Sequence, residues 1–151
     1  MLCAAVGLML AFVPRRWIAA GLAVLAVAAL GSSFVVWPTA WTDGLFLACW
    51  SVVVVGAACV HLPKGAPPAL AVAIALAAGT AAGALSVVAG ERLDLAIALP
   101  AALVAIPGAW LVSTGRGIAV KVASSWLIAA ALLSAGLSTV HTPGYAPDHM
   151  E

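Results

Sequence analysis

The chain has 151 residues, of which 66% are hydrophobic and only 7% charged, with a formal net charge of +1. Its mean hydropathy is +1.22, and it contains neither Asn nor Gln. A soluble domain carries about 25% charged residues, so this composition excludes a water-facing enzyme, a nucleic-acid binder and a disordered tail, and leaves a polytopic membrane protein.

Crossing ~30 Å of hydrocarbon takes a helix of about 17–25 apolar residues. The first apolar run, Met1–Val13, is shorter and at ~1.5 Å per residue reaches only about 20 Å. It reads as a short helix packed on the others. It lacks the basic start of a secretory signal, and Pro14-Arg15-Arg16 follows where small cleavage-site residues would be needed. Full spans are expected at Trp17–Trp37, Gly44–Leu62, Pro68–Ala89, Leu95–Val112 and Ile118–Val140, separated by Pro, Gly and charged residues. Lys121, one turn inside the last span, is able to snorkel to the headgroups. Continuous apolarity without period-2 alternation argues for helices over a closed barrel. The expected fold is all-α: a polytopic transmembrane bundle of five full spans plus the short N-terminal apolar helix, six helices in all. It forms one domain over residues 1–140, with a short extracytoplasmic tail over 141–151.

The basic residues alternate with the loops. Arg15, Arg16, Lys64, Arg116 and Lys121 fall on one side, whereas Asp43, Asp94, Asp148 and Glu151 fall on the other, where Arg92 sits between two acids. The positive-inside bias places the Arg15, Lys64 and Arg116 loops in the cytoplasm and the C-terminus outside, as in a bacterial inner membrane. Trp17, Trp110 and Trp126 lie near the cytoplasmic ends and Trp37 and Trp41 near the outer ends, which fits two interfacial belts. Trp50 lies deeper and reads as a packing residue. Cys3, Cys49 and Cys59 form no CxxC pair and read as small packing residues too.

Within the spans, small residues and prolines carry the pattern. Ala71, Ala75, Gly79 and Gly83 recur every four residues, and Gly79 to Gly83 is a GxxxG that lets a neighbouring backbone approach closely. That neighbour is expected inside the chain, a second subunit being the alternative. Pro100 and Pro107 lie on one face of the fourth span and are expected to bend it, freeing the carbonyls of Ala96 and Leu103. The ordinary reading is a kinked structural helix; the functional one is a cavity-lining face of Ala96, Pro100, Leu103 and Pro107. On the last span Ser124, Ser134, Ser138 and His141 fall within an arc of about 100°. Such serines usually bond other helices or their own carbonyls, and also suit a narrow aqueous path. Asp43 and Asp94 each open a span on the outer side. Capping and the helix dipole explain them, and an acidic vestibule is the functional alternative.

No catalytic constellation, cofactor site or metal site is expected. The hydroxyls have no base beside them, and there is no GxSxG elbow. His141, Asp148, His149 and Glu151 have metal-binding chemistry but no ligand spacing, so they read as a solvated tail. Ion pumps and proton-coupled carriers hold charges in the middle of the bilayer, whereas the charges here stay near the interfaces. The expectation is therefore a non-enzymatic membrane protein: a passive transporter or channel-like protein for a small solute. The alternative is a non-catalytic subunit that helps assemble a larger membrane complex. Its partners would be the lipid bilayer and either further copies of itself or other membrane subunits, with no nucleic acid.

Overall fold

A computed structural model describes residues 1–63, 65–90 and 92–139, apart from the side chains of Arg92, Ser138 and Thr139. All secondary structure among the described residues is helical. The helices are α1 (Leu2–Leu10), α2 (Arg15–Ser32), α3 (Thr42–Cys59), α4 (Pro68–Val88), α5 (Arg92–Ala98), α6 (Ala105–Ser113) and α7 (Gly117–Thr139). A 3-10 segment, Leu99–Val104, joins α5 to α6, so these three form one interrupted crossing. Five segments are long and apolar enough to cross a membrane. Together with α1 they make the expected six-helix bundle.

The short first helix sits deepest. A segment that is apolar on every side has no face to offer water and is buried all round. Accordingly Cys3 and the whole run Ala5–Leu10 are buried in α1. This helix touches α2, α3, α4, α6, α7 and the 3-10 segment. Its Val6, Met9 and Leu10 join Leu25, Val60, Ala75 and Ala105 in the main core. After α1 the chain tightens through bonds from Phe12 N to Met9 O (3.1 Å) and from Val13 N to Leu10 O (3.0 Å). Pro14, which cannot continue a helix from within but can precede one, then starts α2.

α2 stops at Ser32, short of the Trp37 read from hydropathy. Three effects combine there. Ser33 Oγ donates to Leu30 O at 2.7 Å, competing for backbone acceptors of the last turn. Trp37 Nε1 donates to Ser32 O at 3.0 Å and so satisfies a terminal carbonyl. Pro38 disfavours the helical region at the residue before it. The chain then turns through a short 3-10 segment, Thr39–Trp41, into α3, with Trp37 and Trp41 packed at a centroid distance of 6.1 Å.

α2 and α4 form a close pair. A methyl group at Gly79 would run into the Leu25 carbonyl oxygen and Ala28 Cβ, and one at Gly83 would meet Ser32 Oγ and the Ala29 carbonyl. The small residues therefore bring backbone against backbone, and Ser32 Oγ reaches across to Gly79 O at 3.5 Å. Ala71 and Ala75 are fully buried on the same helix.

The prolines of the fourth crossing stand in the first turns of its 3-10 and second α-helical segments. Pro100 occupies the start of the 3-10 segment, and Pro107 is the third residue of α6. First-turn positions have no intrahelical acceptor for an N–H, so proline is tolerated there. α6 ends on Gly115, whose φ of +80° lies in the left-handed region. Bonds from Gly115 N to Val112 O and from Arg116 N to Leu111 O close that end. α7 packs on α3 and α6 and exposes Ile118, Val122, Trp126, Leu132, Leu133 and Leu137 along its outer side. Large exposed apolar residues recur on the other crossings, including Val27, Leu30, Val55, Leu76 and Ile106. That continuous surface is what lipid contact requires.

Candidate functional site

Chain direction gives the bundle two chemically different ends. Arg15, Arg16 and Arg116 lie at one end and Asp43 and Asp94 at the other. At the basic end Arg15 Nη2 donates to Ser113 Oγ at 3.5 Å, tying α2 to α6. Ser125 Oγ lies 3.3 Å from His61 Nε2, which links α7 to the end of α3.

Toward the acidic end, α1, α3, α4 and α5 line an open cavity of about 420 Å³. α3 contributes Phe46, Cys49, Trp50 and Val53, and α4 with its C-cap contributes Ala82, Leu85, Ser86 and Ala89. Each set has the i, i+3, i+4, i+7 spacing of a single helix face. Asp94, Leu95 and Ala98 of α5 form the third wall, and Met1, Leu2 and Cys3 close the remaining side. Beneath the cavity, Val6, Met9, Leu10 and Val60 are fully buried and fill the bundle.

The walls are mainly apolar. Phe46 and Trp50 meet edge to face, with centroids 5.8 Å apart and planes at 80°. Trp50 Nε1 is buried without a hydrogen-bond partner among the described residues. Ser86 Oγ donates to Gly83 O at 2.8 Å, so its hydroxyl proton is already used within α4. Asp94 stands at the turn between α4 and α5, beside Gly90, and is the charged side chain on the wall among the described residues. The thiols of Cys3 and Cys49 are free and reach the cavity from different helices.

The residues singled out in the sequence are distributed differently. Asp94 lies on the cavity, whereas Asp43 is exposed in the first turn of α3 and is not on its wall. Ala96, Pro100, Leu103 and Pro107 are exposed on the outside of the bundle, with Leu103 at 52%. The opposite face of the fourth crossing supplies the wall. Ser124 is fully buried and donates to Val120 O at 2.8 Å within its own helix, while Ser134 is half-buried. The Ser138 side chain, Lys64 and the tail residues His141, Asp148, His149 and Glu151 lie outside the described residues. Among the described residues no group of three or more His, Cys, Asp or Glu is placed to hold a metal ion.

Phe46, Cys49, Trp50 and Ser86 are the wall residues that sequence reasoning misses. Their spacing on α3 and α4 is present in the sequence. Faces that are apolar on every side, however, give no sign of which one meets a void. A second concavity lies on the flank, where Val104 and the α7 residues Ala119, Val122, Ala123 and Trp126 leave Ala4 and Leu8 of α1 within reach. The chain matches no family model, and no curated protein or solved structure is significantly similar to it.

Proposed function

We propose that the protein is a passive transporter or channel-like protein for a small solute in a bacterial cytoplasmic membrane. The Arg15, Lys64 and Arg116 loops would face the cytoplasm. The observation that carries this reading is the cavity of about 420 Å³ set among four helices at the acidic end. One of its walls belongs to a crossing interrupted by a 3-10 segment. A cavity of that size is within the range that holds small molecules. A 3-10 stretch inside a helix often marks a hinge. Passive movement is favoured over proton coupling because the charged residues of the crossings stand at their ends.

Flux measured in proteoliposomes tests the reading. Purified protein should raise the permeation of small solutes above that of empty vesicles, and Pro100→Ala should change the rate by removing the fixed φ that proline imposes at the break. Absence of flux for a panel of uncharged, cationic and anionic solutes, with co-purification of a fixed set of partners, would sink it. The flank concavity beside α7 favours a second reading, a non-catalytic subunit that packs against a larger membrane complex. Under that reading the chain is degraded in cells when its partner is deleted.

A further inference from the structure

We infer that the flank concavity beside α7 seats an acyl chain of an anionic phospholipid whose phosphate is held by Arg116 and Arg15. Such a seat requires only that the bundle lie in a bilayer; it needs no flux. The concavity has a volume of about 540 Å³ and no charged side chain on its wall. The short side chains of Ala4, Ala119 and Ala123 leave room that Val104, Val122 and Trp126 border. Water gains nothing on such a wall, and an unfilled gap in hydrocarbon forfeits dispersion contacts, so a flexible acyl chain fills it best. From Ala119 to Leu127 the lining runs about 12 Å along the helix at ~1.5 Å per residue, close to half of the ~30 Å hydrocarbon core. The groove thus has the depth of one leaflet, the one at the basic end, where α7 begins.

Charge at the head of the groove decides which lipid. Arg116 immediately precedes α7, and its carbonyl accepts from Ala119 N at 3.1 Å, so it stands one turn from the lining. Arg15 is drawn to the same turn of chain by its 3.5 Å bond to Ser113 Oγ at the end of α6. Both arginines are exposed, and among the described residues the carboxylates Asp43 and Asp94 stand at the opposite end. Guanidinium groups match phosphate oxygens bidentately, and basic pockets between membrane helices take anionic headgroups. A zwitterionic lipid would add an ammonium group facing the same arginines. A second copy, inserted the same way up, would bring its own Arg116 to this depth with like charge.

Native mass spectrometry of the full chain, titrated in dodecyl maltoside with dioleoylphosphatidylglycerol or dioleoylphosphatidylcholine, tests the seat. The first phosphatidylglycerol should bind about tenfold tighter than the first phosphatidylcholine. Arg116→Gln should weaken it about fivefold and Arg15→Gln by a similar factor, whereas Arg116→Lys should keep much of the affinity. Arg16→Gln removes the same charge from the same end and should change it little. Ala123→Trp fills the groove without touching a charge and should weaken both lipids several-fold. Equal affinity for the two lipids overturns the inference. So does an equal loss in Arg16→Gln and Arg116→Gln, which would mark attraction to the whole basic end. Unchanged phosphatidylglycerol binding by a folded Ala123→Trp variant places the lipid elsewhere and overturns it too. If Ala123→Trp does not fold, the arginine comparison decides. A dimer or a co-purified subunit that Ala123→Trp releases would put protein in the groove in place of lipid, again against the inference. Permeation enters none of these measurements, so the lipid seat and the transport reading fail separately.

Discussion

Gly7 of α1 lies against the backbone of Ala102 in the 3-10 segment: a methyl group on its Cα would stand 2.5 Å from the Ala102 carbonyl oxygen and 2.7 Å from Val104 Cγ1. The buried helix and the interrupted crossing therefore meet at a point that leaves no room for a side chain. Because the obstacle is backbone, rotamer changes do not relieve it. Gly7→Ala should destabilise the bundle by about 1–3 kcal/mol, the usual cost of forcing a methyl group into a packed site. A methyl group on Gly31 would have nothing within 4 Å, so Gly31→Ala should be neutral or stabilising by up to ~1 kcal/mol. Equilibrium unfolding in mixed detergent micelles compares the two; equal midpoints would contradict the contact.

The α2–α4 contact makes a graded prediction. Gly83→Ala places a methyl group on both Ser32 Oγ and the Ala29 carbonyl. Ser32→Ala removes one of these obstacles together with the 3.5 Å hydrogen bond to Gly79 O. The single change at Ser32 should cost about 1 kcal/mol or less, and the one at Gly83 more than that. The double variant should recover only part of the loss, because the Ala29 carbonyl stays in place. A double-mutant cycle by the same unfolding assay reads the coupling, and strict additivity would show that the two positions do not share the contact.

At the basic end, Gly65 has a φ of +71°, and a methyl group there would stand 2.8 Å from the Phe12 carbonyl oxygen. Two independent costs, the left-handed backbone and the clash, fall on one substitution. Gly65→Ala should lower stability by about 2 kcal/mol or more. Gly44→Ala, in open space at the start of α3, serves as the control. A thermal unfolding shift no larger than that of the control would disprove the predicted strain.

Orientation can be read from exposed positions. Arg16 and Asp43 are both exposed and lie at opposite ends of the bundle. With the three native cysteines replaced by alanine, Arg16→Cys should react with an impermeant maleimide only from the cytoplasmic side and Asp43→Cys only from the outside. Labelling of both from one side would refute the orientation drawn from the positive-inside bias.

Hydropathy carries the crossings well because the bilayer leaves few alternatives: apolar length, helix and span imply one another. The ends are harder to read. Val35, Val36 and Trp37 look as apolar as the helix before them, and only serine back-bonding, the Trp37 indole and Pro38 explain why α2 stops at Ser32. The candidate site is less legible than the fold. Asp94 stands out in any reading as a charge at the start of a span. Phe46, Cys49 and Trp50 do not, because in an all-apolar helix lipid-facing, partner-facing and cavity-facing sides share one composition. The proline face of the fourth crossing shows the same ambiguity: its period is plain in the sequence, but the side of the bundle it occupies is not.

The depth of α1 constrains the order in which the protein can be assembled. Helices α2, α3 and α4 are each long enough to enter the bilayer as they are made. α1 is not, and its backbone ends would meet lipid unsatisfied if it entered alone. The seat for Gly7 is Ala102, which the ribosome delivers only with the fourth crossing. The contact between Gly7 and Ala102 is thus one of long sequence separation, although all secondary structure among the described residues is helical, and it forms only after that crossing has been made.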